Sequence, residues 1–341
     1  MRSPSSLERK LNKHAITILI GGIFFTFSIL LFLSFCKMPC EDPTYALMHE
    51  DLKDAQNQAF WKGSLLSPKR SISCFLVITV ISAPKNVRER DVVRDTWGKR
   101  LPDTILLRFS VGMGKLTEDE LHAITREKTL HNDLILLKIN DSFDELTFKV
   151  METYKWVDRN VDFKFLLKAD EDSFVRIDAL MRELKLKPNN NLYWGFFDGR
   201  AHAKQKGKWE EKEWIICDRY LPYALGGGYI LSSDLIHYLS SNSKLLKLFK
   251  NEDVSVGAWL GPLDINRVHD PRFDTEYKSR GCKNSYLVTH KISAMQMREY
   301  ENNLQTIGHL CSKEFQLRKS YIYNWSNPPS KCCERIDPSV P

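Results

Sequence analysis

From residue 72 onward, apolar positions form short uninterrupted runs that alternate with segments of helical spacing. The run Ile72–Ile81 is almost entirely apolar, which is typical of a strand covered on both faces. Further strands are predicted at 104–111, 133–139 and 163–169, with helices at 86–97, 117–131 and 144–158. Thr117 and Glu120 form a capping-box pattern at the start of the second helix. This alternation predicts an α/β fold with a mostly parallel, Rossmann-like central sheet.

Beyond residue 170 the pattern is looser, but both kinds of element continue. Strands are predicted at 192–197 and 223–231, and helices at 233–240 and 253–260. In open α/β sheets, ligands bind at the carboxyl ends of the strands. Residues that directly follow a strand are therefore the first candidates for function.

The N-terminus has a different apolar pattern. Ala15–Phe35 is a run of 21 residues without a charge, long enough to cross a bilayer as a helix. Basic residues precede it, so the positive-inside bias places the N-terminus in the cytosol and the remainder across the membrane. A cleaved signal peptide is the alternative, but its apolar region is normally only about 7–15 residues long. We expect a cytoplasmic tail at 1–14, a transmembrane signal-anchor at 15–35, a stem at 36–70, a large lumenal domain at 71–335 and a tail at 336–341.

The cysteines and the glycosylation sequons agree with a lumenal domain. The chain has eight cysteines and no CxxC pair, which favours disulfides over a zinc site, although the pattern does not give their pairing. Cys74 lies within an apolar strand and is expected to be a buried free thiol. Asn140 and Asn324 begin Asn-x-Ser sequons and are candidate glycosylation sites.

The net charge of +7 is spread along the chain, with one concentration at 200–208. A lumenal protein does not meet nucleic acid, so the expected partner of this basic loop is an anionic sugar or a phosphate. A solvated surface loop is the alternative. The oligomeric state is not predicted.

Three acids, Asp170, Glu171 and Asp172, directly follow the predicted strand at 163–169. Adjacent carboxylates repel one another unless a cation lies between them. Carboxylate oxygens suit hard divalent ions such as Mg²⁺ or Mn²⁺, which are commonly shared with the phosphates of a substrate. The sequence therefore predicts a metal–diphosphate site here, with an ordinary acidic loop as the alternative.

Other polar groups are expected at the same edge of the sheet. Arg88, Arg90 and Arg94 follow the first strand and are candidate phosphate ligands, because a guanidinium binds phosphate in a bidentate fashion. The glycines at 226–228 would allow a close approach of the backbone to a ligand. Glu252 and Asp253 open an apolar helix, either as a cap or with Asp253 as a catalytic base. Candidates to complete a metal shell are His269, Asp274 and His290.

Several of these segments together carry a resemblance to a known family. They are Arg94–Gly98 (RDTWG), Lys168–Asp172 (KADED), Ala224–Tyr229 (ALGGGY) and Glu252–Val254 (EDV). This set resembles the motifs of the family 31 β-1,3-glycosyltransferases. Five further segments resemble one branch, the galactosyltransferases of the glycosaminoglycan linkage region: Tyr193–Phe197, Asp270–Tyr277, Arg280–Cys282, Tyr286–Lys291 and Tyr323–Cys333.

The resemblance implies a Golgi enzyme with a single-pass type II topology, a GT-A fold, Mn²⁺ as cofactor and UDP-galactose as donor. It places the metal on Asp172 and His290, the donor and its cation on Asp170, Glu171, Arg90 and Arg94, and the base on Asp253. Acceptor contacts are expected at Trp194, Gly227, Gly228 and Glu252. A lysine that some relatives carry at the end of the first strand is replaced here by Ile81.

The implied reaction transfers galactose, with inversion, to the 3-hydroxyl of Galβ1-4Xyl on a proteoglycan core protein. Another family member acting on glycoprotein or glycolipid acceptors is the nearest alternative. Two other classes are a non-catalytic lumenal chaperone or lectin and a metal-dependent phosphohydrolase. Release of UDP that depends on an added acceptor sugar would separate the three classes.

Overall fold

The computed structural model describes Arg70, residues 72–204 and residues 206–333. The chain divides into two units, Met1–Lys69 and Arg70–Pro341, and all the described residues belong to the second. The predicted tail, anchor and stem at 1–70, apart from Arg70, and the tail at 336–341 lie outside the described residues. Within the described part, none of the helices combines the length and the apolar character needed to cross a bilayer.

Fourteen strands are present in the described part of the chain. They are β1 (Ile72–Ser73), β2 (Leu76–Ile81), β3 (Ile105–Gly114), β4 (Leu134–Asn140), β5 (Val161–Asp162), β6 (Phe165–Asp170), β7 (Phe174–Val175), β8 (Leu192–Asp198), β9 (Tyr223–Ser232), β10 (Asn266–His269), β11 (Phe273–Asp274), β12 (Gly281–Cys282), β13 (Val288–Thr289) and β14 (Phe315–Gln316).

Seven α-helices accompany the strands in the same part. They are α1 (Val87–Asp95), α2 (Glu118–His131), α3 (Leu146–Asn160), α4 (Ile177–Leu184), α5 (Ser233–Asn242), α6 (Glu252–Leu260) and α7 (Ala294–Thr306). Short 3-10 helices occur at Phe143–Glu145 and Pro329–Lys331. The capping box predicted for Thr117 and Glu120 is confirmed at the start of α2.

The central sheet has seven strands in the order β10-β8-β9-β6-β2-β3-β4. Strands β6, β2, β3 and β4 pair in parallel, as do β8 and β10. Strand β9 lies between β6 and β8 and is antiparallel to both. The predicted α/β class is therefore confirmed, in the form of a mixed sheet in which β9 alone is reversed.

The middle of this sheet is the core of the domain. All six residues of β2 are buried, and so are the first five of β6, as expected of strands with both faces covered. Helix α3 packs against the sheet with Val150, Tyr154 and Val157, whose spacing places them on one face of the helix. These buried strands end at the edge where the acids follow β6.

A small three-stranded sheet, β11-β13-β7, lies beside that edge. Its strand β7 begins two residues after Asp172, and β13 ends at the residue before His290. A disulfide between Cys282 and Cys311 encloses the chain segment that contains β13 and α7. Cys74 is unpaired, as predicted, and partly buried, and burial raises the pKa of its thiol to about 11.

Candidate active site

The acids at the carboxyl end of β6 meet a histidine that directly follows β13. His290 Nε2 lies 3.0 Å from Asp172 Oδ1 and 3.5 Å from Asp170 Oδ2. One donor atom of each residue lies within 4.8 Å of the other two. Backbone hydrogen bonds fix this approach, because the amide of Ile292 donates to the carbonyl of Asp172 over 3.0 Å.

The charges in this cluster balance one another. Burial by itself would raise the pKa values of Asp170 and Asp172, but His290 and, at Asp170, the Lys168 ammonium outweigh it and hold both pKa values below their usual range. Burial opposes protonation of His290, yet the two carboxylates raise its pKa to about 9. The two acids are therefore ionised and strongly attract a positive charge.

The cluster has the donor set of a divalent cation site. His290 Nε2 faces the carboxylates without the geometry of a hydrogen bond, and its buried Nδ1 has no hydrogen-bond partner either. Two carboxylates and one imidazole, with no thiolate, suit Mn²⁺ or Mg²⁺. Lys291 Nζ pairs with Asp172 Oδ2 over 3.0 Å at the more exposed side. The residues present therefore fit a hard divalent cation.

Strand β9 passes directly behind His290. A methyl group at Gly227 would overlap the His290 ring, and one at Gly228 would lie 2.8 Å from Val288 Cγ1. The carbonyl of Gly227 also accepts from Ser173 Oγ, in the loop after the acids, over 2.6 Å. Both glycines were expected to contact an acceptor. The structure instead places them where β9 packs against the chain that carries His290.

Asp253 lies in the first turn of α6, on the other side of the same glycine run. Its Oδ2 accepts from the amide of Gly226 over 3.0 Å, and its Oδ1 accepts from the amide of Val254 over 2.8 Å. Asn251 is the N-cap of this helix, so Asp253 does not cap it. Burial raises the pKa of the Asp253 carboxyl. It is a fixed, partly exposed carboxylate with raised basicity.

Glu252, expected to contact an acceptor, points into the protein. Its side chain is buried and pairs with Lys168, while Tyr229 Oη donates to its other oxygen over 3.1 Å. Burial raises the pKa of Glu252 to about 7 against the effect of Lys168. The expected acceptor contact does not agree with this burial.

Arg90 and Arg94, expected to bind the donor, are held by partners within the chain. All five N–H groups of Arg90 are used, by Glu127, by Ser82 Oγ and by the carbonyls of Ala83 and Pro84. Arg94 pairs with Asp91, Glu127 and Asp133. Arg90 thus has no N–H left for a phosphate and instead supports the loop after β2.

Glu171, the middle acid, contacts the loop that follows β2. Its Oε1 accepts from Asn86 Nδ2, its Oε2 is buried without a partner, and burial raises its pKa. The buried ammonium of Lys149 reaches the same edge from α3 and donates to the carbonyl of Ser82 and to Asp141 Oδ2 over 2.7 and 2.6 Å. Sequence reasoning missed both Lys149 and Lys168. A lysine inside the apolar run of β6 was the signal that could have identified the second.

The aromatic residues of β8 are part of the core, which corrects the expectation that Trp194 contacts an acceptor. Trp194 is fully buried, donates from Nε1 to Asp270 Oδ2 and packs on Phe273. Phe196 and Phe197 are fully buried as well. Because β8 is flanked by β9 and β10 and covered on both faces, these rings are not accessible to a sugar.

The two other proposed metal ligands do not join the cluster. His269 bonds to the backbone of Phe197 and Tyr321. Asp274 is buried against Arg280 and Ser279.

The predicted glycosylation sites differ in exposure. Asn324 is exposed, whereas Asn140 is partly buried at the end of β4, where it pairs with Gly114.

The residues that directly follow the basic loop at 200–208 are hydrogen-bonded to the start of α6 and the residues before it. Asn251 Nδ2 donates to the carbonyl of Trp209 over 3.2 Å, and the amide of Lys250 donates to Glu211 Oε2 over 2.6 Å. Lys208 Nζ lies 4.8 Å from the centre of the Phe143 ring. Trp209 is 51% exposed, so it is accessible to a ligand, whereas Trp194 is fully buried.

Comparison with known proteins identifies the family. Residues 88–271, which include the acids and Asp253, match the galactosyltransferase family model. Over 335 residues the chain is 44% identical to β-1,3-galactosyltransferase 6 of Mus musculus, covering 96% of this chain and 97% of that protein. It is 30% identical over 199 residues to UDP-GalNAc:β-1,3-N-acetylgalactosaminyltransferase 2 of Xenopus laevis, covering 58% of this chain but only 40% of that protein.

Among solved structures, the galactosyltransferase LgtC in complex with donor and acceptor sugar analogues matches with 12% identity and a TM-score of 0.37, covering 67% of this chain and 96% of that chain. A TM-score this low carries no conclusion about fold or function. The family match covers more than half of the chain, and the mouse relative matches along nearly its whole length. This chain therefore belongs to the galactosyltransferase family.

Proposed function

We propose that this protein is an inverting β-1,3-galactosyltransferase of GT-A type that transfers galactose from UDP-galactose to the 3-hydroxyl of Galβ1-4Xyl on a proteoglycan core protein. The observation that carries the proposal is the placement of two groups along β9. His290, with the two aspartates, packs on Gly227, and Asp253 accepts from the amide of Gly226. The similarity to β-1,3-galactosyltransferase 6 supports galactose and the β-1,3 linkage. The proposed acceptor is inferred from the sequence motifs that resemble those of the glycosaminoglycan linkage-region branch.

Asp172, His290 and Asp170 would hold Mn²⁺ together with the diphosphate of the donor. When bound, the ion neutralises the negative charge that develops on the departing UDP. The low pKa values of Asp170 and Asp172 keep both carboxylates ionised at neutral pH. Glu171, with one buried oxygen lacking a partner, remains a candidate donor contact.

Asp253 would act as the general base. UDP-galactose is an α-glycoside and the product linkage is β, so one displacement inverts the anomeric carbon. The acceptor 3-hydroxyl must lose its proton as it attacks, which requires a base within hydrogen-bond reach. Two backbone amides orient the Asp253 carboxylate, and burial raises its pKa, which makes it a stronger base than an exposed aspartate.

The proposed location is the Golgi membrane, with a single-pass type II topology and the catalytic domain in the lumen. This rests on the sequence at 15–35 and its flanking charges. In the same compartment the protein would meet UDP-galactose and xylosyl-galactosyl proteoglycan core proteins.

The test is a transfer assay with the full chain in detergent, across a panel of UDP-sugars and acceptors, with Mn²⁺ present or removed by chelation. We expect Mn²⁺-dependent transfer of galactose to Galβ1-4Xyl-aglycone and release of UDP only when acceptor is added. Preference for an N-acetylhexosamine acceptor would assign the chain to another activity within the family. Acceptor-independent release of phosphate would indicate a phosphohydrolase, and binding without turnover would indicate a lectin.

A further inference from the structure

Lys168 is a fully buried lysine in the middle of the active-site edge. Its ammonium donates to Asp170 Oδ1 over 2.7 Å, to the carbonyl of Gly226 over 2.6 Å and to Glu252 Oε1. An ammonium has three N–H donors, so every donor of Lys168 has an acceptor. The acceptors belong to three elements, β6, β9 and α6.

The far side of this network is equally fixed. Tyr229 Oη donates to Glu252 Oε2 over 3.1 Å, and the hydroxyl groups of Tyr229 and Tyr154 are 2.7 Å apart. Both tyrosines are fully buried. Glu252 therefore has little freedom to move, and it holds the start of α6 against the ammonium.

Gly226 connects this network to Asp253. Its carbonyl accepts from Lys168, and its amide donates to Asp253 Oδ2 over 3.0 Å. Three hydrogen bonds and the backbone of Gly226 thus connect Asp170 through Lys168 to Asp253. The same ammonium also holds Glu252, the residue directly before Asp253.

We propose that Lys168 is a positioning residue that sets the separation between the metal-binding carboxylates and the base Asp253 during galactosyl transfer. This inference rests on the proposed function. In an inverting displacement the base and the leaving diphosphate lie on opposite sides of the anomeric carbon. The distance between Asp253 and the metal-binding carboxylates must therefore allow the acceptor to reach the base while the diphosphate stays bound to the metal. A misplacement of about 1 Å can cost roughly 10²-fold in rate. An ammonium bonded to both sides holds that separation without contacting the substrate.

A purely structural role is the competing explanation, because Lys168 also neutralises Glu252 and Asp170. Removing one partner of a buried ion pair leaves an uncompensated charge and destabilises the fold, whereas replacing both partners by neutral residues can be nearly neutral for stability. The variants Lys168→Met and Lys168→Met/Glu252→Gln therefore separate stability from position. Leu239→Ala, in the buried face of α5, is the control that lowers stability and removes no hydrogen-bonding group of the network.

For each full-length variant, the thermal midpoint, the affinity for Mn²⁺ with UDP (by the electron paramagnetic resonance signal of free Mn²⁺), kcat and KM are measured. We expect Lys168→Met to lower the thermal midpoint and the double variant to recover most of that loss. In the double variant, kcat should remain at least about 10-fold below the parent, while Mn²⁺–UDP affinity changes less than about 3-fold. Leu239→Ala should lose stability with kcat close to the parent value.

Recovery of kcat in parallel with the thermal midpoint would overturn the inference and leave Lys168 a structural residue. Loss of Mn²⁺–UDP affinity in proportion to kcat would overturn it too, because the lysine would then act on the metal site alone. If the parent chain transfers galactose and either of these two results is observed, only the inference about Lys168 is contradicted. A parent chain that transfers no galactose contradicts the proposed function and the inference with it.

Discussion

At the scale of single residues, His269 shows how a backbone environment fixes a protonation state. The amide of Phe197 can only donate and does so to Nδ1 over 3.0 Å, and the carbonyl of Tyr321 can only accept, which it does from Nε2 over 3.0 Å. The first bond requires the neutral ring, because Nδ1 can accept only when it carries no proton, and the second places the ring proton on Nε2. Burial lowers the pKa of His269 to about 4 from an ordinary value of 6.5.

This pKa predicts a pH-dependent contribution of His269 to stability. Between pH 6.5 and about 4 the unfolded chain protonates this histidine and the folded chain does not, so the contribution falls as the pH falls through that window. At roughly 1.4 kcal/mol per pKa unit, the full loss is about 3 kcal/mol. The difference in free energy of unfolding between the parent and His269→Gln, from urea titrations, should narrow by up to that amount from pH 6.5 to 4. A difference that stays constant with pH would contradict the prediction.

A second prediction for a single residue concerns Asp253. Asp253→Asn keeps the size of the side chain and one of its two hydrogen bonds from backbone amides, but it cannot accept a proton as a base. We expect kcat to fall by at least about 10²-fold with Mn²⁺–UDP affinity nearly unchanged. Asp264→Asn, at an exposed aspartate beyond the end of α6, is the matched control and should behave like the parent. Near-normal kcat in Asp253→Asn would exclude Asp253 as the base.

At the scale of elements, the chain that carries His290 is held by a covalent bond and by packing on β9. The disulfide between Cys282 and Cys311 has a sequence separation of 29 and encloses β13, His290 and α7. Closing a loop of this length removes entropy from the unfolded chain and stabilises the fold by about 3–4 kcal/mol. The bond therefore supports a metal ligand as well as the fold.

We predict that Cys282→Ser/Cys311→Ser lowers the free energy of unfolding by that amount and also weakens Mn²⁺ binding. Cys217→Ser, at an exposed and unpaired cysteine, is the control and should change neither. Urea titration and Mn²⁺ titration check the two effects separately. Unchanged Mn²⁺ affinity in the double variant would show that packing alone positions His290.

Gly227→Ala tests the packing. A methyl group at this position overlaps the His290 ring, so His290 or β9 must move. We expect Mn²⁺ affinity to fall at least about 10-fold, whereas Gly228→Ala, whose methyl meets Val288 instead, should lower stability with a smaller effect on Mn²⁺. Equal effects of the two substitutions on Mn²⁺ affinity would contradict this role of Gly227.

At the scale of the whole molecule, the sequence at 15–35 predicts the topology. In sealed microsomes, an epitope at Pro341 should resist added protease, while one at Met1 should be digested. The reverse pattern would place the proposed chemistry on the wrong side of the membrane.

The sequence predicted the elements of the sheet better than the surroundings of their side chains. Uninterrupted apolar runs such as that of β2 identify strands. The alternation of strands and helices then places Asp170 at the carboxyl end of β6. The rule that marks β2 as buried on both faces applies equally to β8, so Trp194 should have been assigned to the core.

Partners far apart in the chain could not be predicted in the same way. The pairing of Arg90 with Glu127, and of Lys168 with Gly226 and Glu252, depends on how helices pack and strands pair over long separations. Local periodicity gives the type of an element but not the neighbour that a charged side chain meets. For that reason Arg90 was expected to bind a ligand, and Lys168 was overlooked.

The position of β9 between β6 and β8 has a consequence for how the chain folds. Phe165 pairs with Ser232 and Tyr193 with Leu231, so β9 must insert between two strands that both precede it in the sequence. Such long-range pairing is slow, and until it occurs the edges of β6 and β8 are open to pairing with other chains. Asp253 accepts from β9 and His290 packs on it, so the complete site requires β9 in its place between β6 and β8. Binding of the nucleotide sugar would then indicate that this final step of folding is complete. A newly made chain that stalls before this step would expose the unpaired edges of β6 and β8 to chaperones.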